Sequence, residues 1–85
     1  MTDKEIIIRK QEGNWTMGSI GGYDFEVKHF DRPSRFGIDE GRISKLMITR
    51  KSTYGTVASY DRGWDKLPRF DVEIEVTQVI IDRFN

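Results

Sequence analysis

Residues 14–31 read NWTMGSIGGYDFEVKHFD, and this stretch limits the fold more than any other in the chain. After Gly22 the residues alternate. Tyr23, Phe25, Val27 and His29 fall on one side, and Asp24, Glu26, Lys28 and Phe30 on the other. A period of two belongs to a strand with one buried face. The run before the glycines is rich in strand formers. Two glycines between such runs suit a tight hairpin turn, because they tolerate positive φ. An antiparallel hairpin therefore lies at the centre of the expected fold.

Two further strands follow. RISKLMITR (42–50) carries apolar residues on both faces, Ile43 and Met47 on one and Leu46 and Ile48 on the other, which predicts a strand covered on both sides. One helix covers only one of them, so a second copy in a two-fold dimer is expected over the other. TVASYD (56–61) is the next strand, after which RGWDKLP (62–68) is expected to leave the sheet. KEIIIR near the N-terminus reads as an edge strand. Between the second and third strands, RPSRFGIDEGR (32–42) is longer than an ordinary hairpin connection. It holds Pro33, Phe36 and Ile38, with Phe30 at its edge, so a packed loop is expected there.

The C-terminal run is ambiguous by pattern. Its β-branched residues favour a strand. Asp71 as a cap, Glu73 and Glu75 near the start and Arg83 near the end favour a helix over 71–84. The sheet needs a cover for its apolar face, and no other segment offers a helix. The expected fold class is α+β: an antiparallel meander of four to five strands with one C-terminal helix packed on one face. At 85 residues the chain reads as a single domain, 1–85.

Charge narrows the function classes. Fourteen basic residues balance fourteen acidic ones. The distribution is bipolar: Lys28 to Lys51 carries seven basic and three acidic residues, Asp61 to Asp82 three basic and six acidic. A generic nucleic-acid binder has an overall basic excess, which is missing. The absence of cysteine removes disulfides, zinc–thiolate sites and thiol nucleophiles and fits a reducing, cytoplasmic setting. No run reaches the roughly 20 apolar residues of a membrane helix.

A near-repeat points to the candidate site. FDRP (30–33) and YDRGWD (60–65) both join an aromatic residue, Asp and Arg. In a meander the strands ending in these motifs run the same way on either side of Gly41–Arg42, so the motifs converge at one end of the sheet. Neighbours in a strand point to opposite faces, so Asp and Arg of one copy should not pair. Asp31 and Asp61 are instead expected to hold Arg42, whose planar fork suits carboxylates. Arg35, Phe36, Arg62 and Trp64 are left as a partner-binding patch, since Arg and Trp are enriched at interface hot spots.

Catalytic signatures are missing. His29 is the only histidine and sits on an apolar strand face, where it reads as packed. No serine lies in a nucleophile motif. Asp39–Glu40 and Asp61/Asp65 lack the periodicity of a calcium loop, and GSIGG (18–22) is no phosphate-binding loop. No metal or cofactor is implied. Trp15, Tyr23, Phe25 and Tyr60 would suit a stacking platform only if the core did not need them.

Trp15, Gly18, GGYDFEVKHFD (21–31), Ser34, FGIDEGRISKL (36–46), YDRGWD (60–65) and Pro68 resemble a family of small uncharacterised proteins of bacteria and their phages or other mobile elements. The resemblance covers residues 15–68, about two thirds of the chain. It implies a single domain with a helix after the proline, and a protein that acts by binding a host or phage protein. The expected function is thus a small non-enzymatic protein-interaction or regulatory module, phage-encoded and directed at a bacterial defence or host protein, and acting as a homodimer. The alternative is a single-stranded nucleic-acid or nucleotide-binding module using the aromatics and the basic stretch 28–51.

Overall fold

A computed structural model describes residues 5–85. Along them run β1 (Ile6–Glu12), β2 (Trp15–Ile20), β3 (Tyr23–His29), β4 (Ile43–Arg50), β5 (Thr56–Asp61), β6 (Trp64–Lys66) and α1 (Asp71–Phe84). The strands form one antiparallel sheet in the order β1-β2-β3-β4-β5-β6, a meander without crossovers. The α+β class and the C-terminal helix agree with the sequence. The strand count does not: the sheet has six strands rather than four to five.

The extra strand is β6, in the segment expected to leave the sheet. Arg62 takes a φ of +59°, which turns the chain back on itself. Tyr60 then faces Trp64 and Ser59 faces Lys66. At the other edge the expected strand forms from Ile6 onward; Lys4 lies outside the described residues. In the central hairpin only Gly21 adopts positive φ, at +56°. Ile20 pairs with Tyr23 across the two-residue turn.

The reading of β4 as apolar on both faces is corrected by a bulge. His29 faces Ile43, but Lys28 faces Lys45, so Ser44 is an extra residue. A bulge resets the alternation. Ile43, Leu46 and Ile48 therefore all share the face of His29, Val27 and Phe25. Met47, 40% exposed and opposite Glu26, remains as the apolar residue of β4 on the open face. The sequence reason for covering that face with a second copy goes with it.

The helix covers the other face. Val76, Ile80 and Phe84 follow the i, i+4 spacing of one helical stripe and, with Ile81 beside them, join Ile20, Phe25, Val27, Leu46 and Ile48 in a single core. Phe84 packs on Phe25 with ring centroids 5.8 Å apart. Asp71 is not the cap. Phe70 occupies that position without a side-chain bond, and Asp71 and Glu73 stand in the first turn, where the helix dipole favours acids.

Candidate functional site

The loop between β3 and β4 is folded onto the core. Ile38 is 1% exposed. Its carbonyl accepts from Gly41 N at 2.8 Å and from Asn85 Nδ2 at 3.0 Å. Asn85 Oδ1 accepts from Ile43 N at 3.1 Å, so one side chain joins the loop, β4 and the end of α1. Tyr60 reaches from β5 and donates to the Phe36 carbonyl at 2.8 Å. Gly37 is required by close approach, because a Cβ there would strike the Gly41 carbonyl.

This scaffold leaves a groove of about 440 Å³ between the loop and the ends of β3, β4 and β5. Its wall carries Lys28, Arg32, Lys45 and Arg62 as cations, and Phe30 and Phe36 as rings. Ser34 and Ser44 complete the lining, and no carboxylate takes part in it. Lys28 Nζ lies 5.6 Å from the Phe30 ring centroid and 5.9 Å from that of Trp15. Arg35 covers Phe36 in the same way at 5.4 Å. Such cation–π contacts limit how far the side chains swing. Lys45 also lines a neighbouring hollow of about 220 Å³, where Glu26, Asp61 and Asp65 put acid at the groove's margin.

The opposite end of the β3–β4 ladder is sealed by charge pairing. Glu73 accepts from Arg50 Nε at 2.7 Å and Nη2 at 2.8 Å, and from the Tyr23 hydroxyl at 3.2 Å. The hydrogen bonds from Arg50 hold the Glu73 carboxyl below the usual carboxylate range, against the opposing effect of burial. Burial and the Glu73 carboxylate push the Tyr23 hydroxyl up. This triad escaped the sequence reading, although a signal existed. Glu73 stands three and seven residues before Val76 and Ile80, so it is an acid on the apolar stripe, and a buried acid needs a cation. Arg50 Cζ also lies 6.0 Å from the Phe70 ring. Leu67, Phe70 and Ile74 are 59%, 59% and 47% exposed around the start of α1.

Residues 14–85 match a family described as a domain of unknown function, DUF7678. The chain belongs to this family. No curated protein and no solved structure matches it. The groove, the Glu73 triad and the helix-start residues all lie within the DUF7678 stretch, whereas β1 precedes it.

The DUF7678 fold divides the expected partner patch. Phe36 and Arg62 line the groove, with Arg35 stacked on Phe36. Trp64 does not line it; its ring packs edge-on against Tyr60 at 5.1 Å, capping the sheet beside β5. The expected clamp of Asp31, Arg42 and Asp61 does not form among the described residues. Arg42 Nε donates to the Asn85 backbone carbonyl at 3.2 Å. Asp61 Oδ1 lies 3.8 Å from Nε of its own neighbour Arg62, because the positive φ of Arg62 breaks the alternation that was to separate them. Asp31 stays exposed at the loop's start.

His29 is a packed residue, as its position suggested. Nε2 lies 3.0 Å from Thr16 Oγ1, and the ring meets Phe84 at 5.0 Å. Burial and then the Arg42 charge lower its pKa, while Asp31 opposes them. Among the aromatics considered as a platform, Phe25 and Tyr60 are in the core and Tyr23 is bound to Glu73. Trp15 alone sits on the helix-free face, opposite Lys28. No helix among the described residues is long and apolar enough to cross a membrane.

Proposed function

We infer that this DUF7678 protein is a small non-enzymatic interaction module that docks on another protein. The observation that carries this reading is the exposed apolar run Leu67, Phe70 and Ile74. Phe70 and Ile74 are one helical turn apart and Leu67 precedes them, so they bring apolar surface together where folding does not bury it. The anchor is held in place. Phe70 lies under Arg50, which Glu73 fixes through two bonds. A held aromatic beside an arginine is the kind of group that dominates protein interfaces.

The resemblance to proteins of bacteria and mobile elements supports a bacterial defence or host protein as the target, met in the cytoplasm. Support for a non-enzymatic role comes from the one histidine, which is committed to Thr16 and Phe84 rather than to the groove. A homodimer is a special case of the same docking. The test pairs sedimentation at tens of micromolar with capture from host lysate, using Phe70→Ser/Ile74→Ser beside the natural chain. Loss of a captured protein or of a dimer, with an unchanged melting temperature, supports the surface. Full capture by the double variant rejects it.

A further inference from the structure

The groove at the other end of the sheet has a different chemistry, and it stands independently of the helix-start surface. We propose that the groove binds single-stranded nucleic acid, holding a phosphate among Lys28, Arg32, Lys45 and Arg62 and stacking a base on Phe36 or Phe30. The charge of the whole chain is zero, yet four cations and no carboxylate form this wall. Lys28, Arg32 and Lys45 have no ion-pair partner among the described residues, and Arg62 has only the 3.8 Å contact with Asp61. Unpaired cations facing one hollow attract a ligand with repeated negative charge.

The apolar part of the wall decides what else that ligand carries. It consists of two flat rings, with no aliphatic side chain. An acidic peptide would bring branched or linear side chains that find no aliphatic pocket there. A nucleobase presents a π face to any flat ring, which is how sequence-tolerant single-strand binders gain affinity. Both rings are steadied by a cation, Phe30 by Lys28 and Phe36 by Arg35. The loop beneath Phe36 is fixed by Tyr60 and Asn85, so the wall is formed before a ligand arrives. Ser34 Oγ accepts from Phe36 N at 3.1 Å, which leaves its hydroxyl proton for a phosphate oxygen. At about 440 Å³ the groove is at the small end of ligand sites, sized for a nucleotide unit rather than a folded surface. The acids Glu26, Asp61 and Asp65 beside Lys45 bound the track on the open face.

The test is fluorescence anisotropy with the full chain and a labelled single-stranded oligothymidylate, an equally long duplex, and a Glu-rich peptide containing phenylalanine. One phosphate held by the four cations gives a salt slope of about −0.7, a loss of about 2.6-fold between about 50 and 200 mM salt. Lys45→Ala/Arg62→Ala should weaken binding at low salt and flatten that slope. Phe36→Ala should weaken binding five-fold or more and leave the slope unchanged. These side chains line an open groove, so the variants are checked for unchanged melting before binding is compared. Absence of saturable binding to the single strand at low salt overturns the proposal. So does equal binding of the duplex, or binding indifferent to both Phe36→Ala and Phe30→Ala, since either reduces the groove to nonspecific charge. Tighter binding of the peptide than of the oligonucleotide assigns the groove to an acidic protein segment and rejects nucleic acid.

Discussion

The two ends of the β3–β4 ladder use the same kinds of residue to opposite effect. At the Tyr23–Arg50 end, an arginine is gripped by a buried carboxylate that also accepts from a tyrosine hydroxyl. At the His29–Ile43 end, Lys28, Arg32 and Lys45 face a groove without an acid. A charge held in two bonds beside a core serves folding, whereas an unpaired charge on a solvated wall contributes little to it. The contrast shows that cation content alone does not distinguish the two ends; the partner of each cation does.

The sharpest way to break this comparison is to remove the carboxylate. Glu73→Ala deletes both bonds to Arg50 and the one to Tyr23, and it opens space beneath the helix start. Arg50 retains some access to water, so the loss is that of charge-assisted hydrogen bonds rather than of a fully buried pair, about 2–3 kcal/mol. A denaturant melt measures it. A change below about 0.5 kcal/mol would mean that the triad is a solvated surface pair and that the two ends do not differ.

Asn85→Ala is expected to come next, at about 1–2 kcal/mol, because it leaves Ile43 N without its partner and the Ile38 carbonyl with Gly41 N alone. It also sharpens the comparison by linking stability to the groove. The loop that carries Phe36 loses its tie to α1, so ligand binding at the groove should weaken together with stability. Hydrogen exchange of the 34–42 backbone reads the same effect: faster exchange confined to the loop is expected, and unchanged exchange would show that Tyr60 holds it alone.

How much of this was legible in the sequence follows from which interactions are local. The alternation of Tyr23 to His29 is set by residues a few positions apart, and that strand formed as expected; the C-terminal run was ambiguous by pattern, and its helix followed from the charges at its ends and the sheet's need for a cover. The bulge at Ser44 was not legible, because the register of β4 depends on His29 and Lys28 in another strand. Its effect was large: one extra residue moved Ile43 to the core face and removed an apparent second apolar side. The turn at Arg62 hid β6 for a related reason, since a non-glycine residue at positive φ has no sequence signature. Convergence of the FDRP and YDRGWD motifs was legible and brought Arg32 and Arg62 to one groove. Their pairing was not, because Asn85, far along the chain, took Arg42.

Acidification separates the two ends in sequence. The His29 pKa is lowered in the fold, so the unfolded chain takes up a proton first, and stability falls as the pH drops below about 6.5. Glu73 is lowered as well, and its contribution is present above its unfolded value and lost as the pH falls below about 4.3. Two limbs are expected in stability against pH, each no steeper than about 1.4 kcal/mol per pH unit for a single group. His29→Gln should flatten the first limb and keep the second. A single limb beginning below pH 5 would show that His29 contributes nothing to the fold.

The smallest stability effect is expected where the functional effect is largest. Arg35 and Arg62 are both exposed; one stacks on Phe36 and the other holds only a loose contact with Asp61. Replacing both with Ala removes a cation–π contact in water and a surface ion pair, each worth little to folding, so the melt should move by less than about 0.5 kcal/mol. Groove binding should drop in the same variant, because Arg62 is one of four cations on the wall and Arg35 steadies the ring that receives the base. If instead the double variant melts as Glu73→Ala does, these arginines belong to the scaffold, and the two ends of the ladder are alike. If it melts normally and binds normally, the contrast in pairing is real but Arg62 lies outside the ligand's path, leaving Lys28, Arg32 and Lys45 to hold the phosphate.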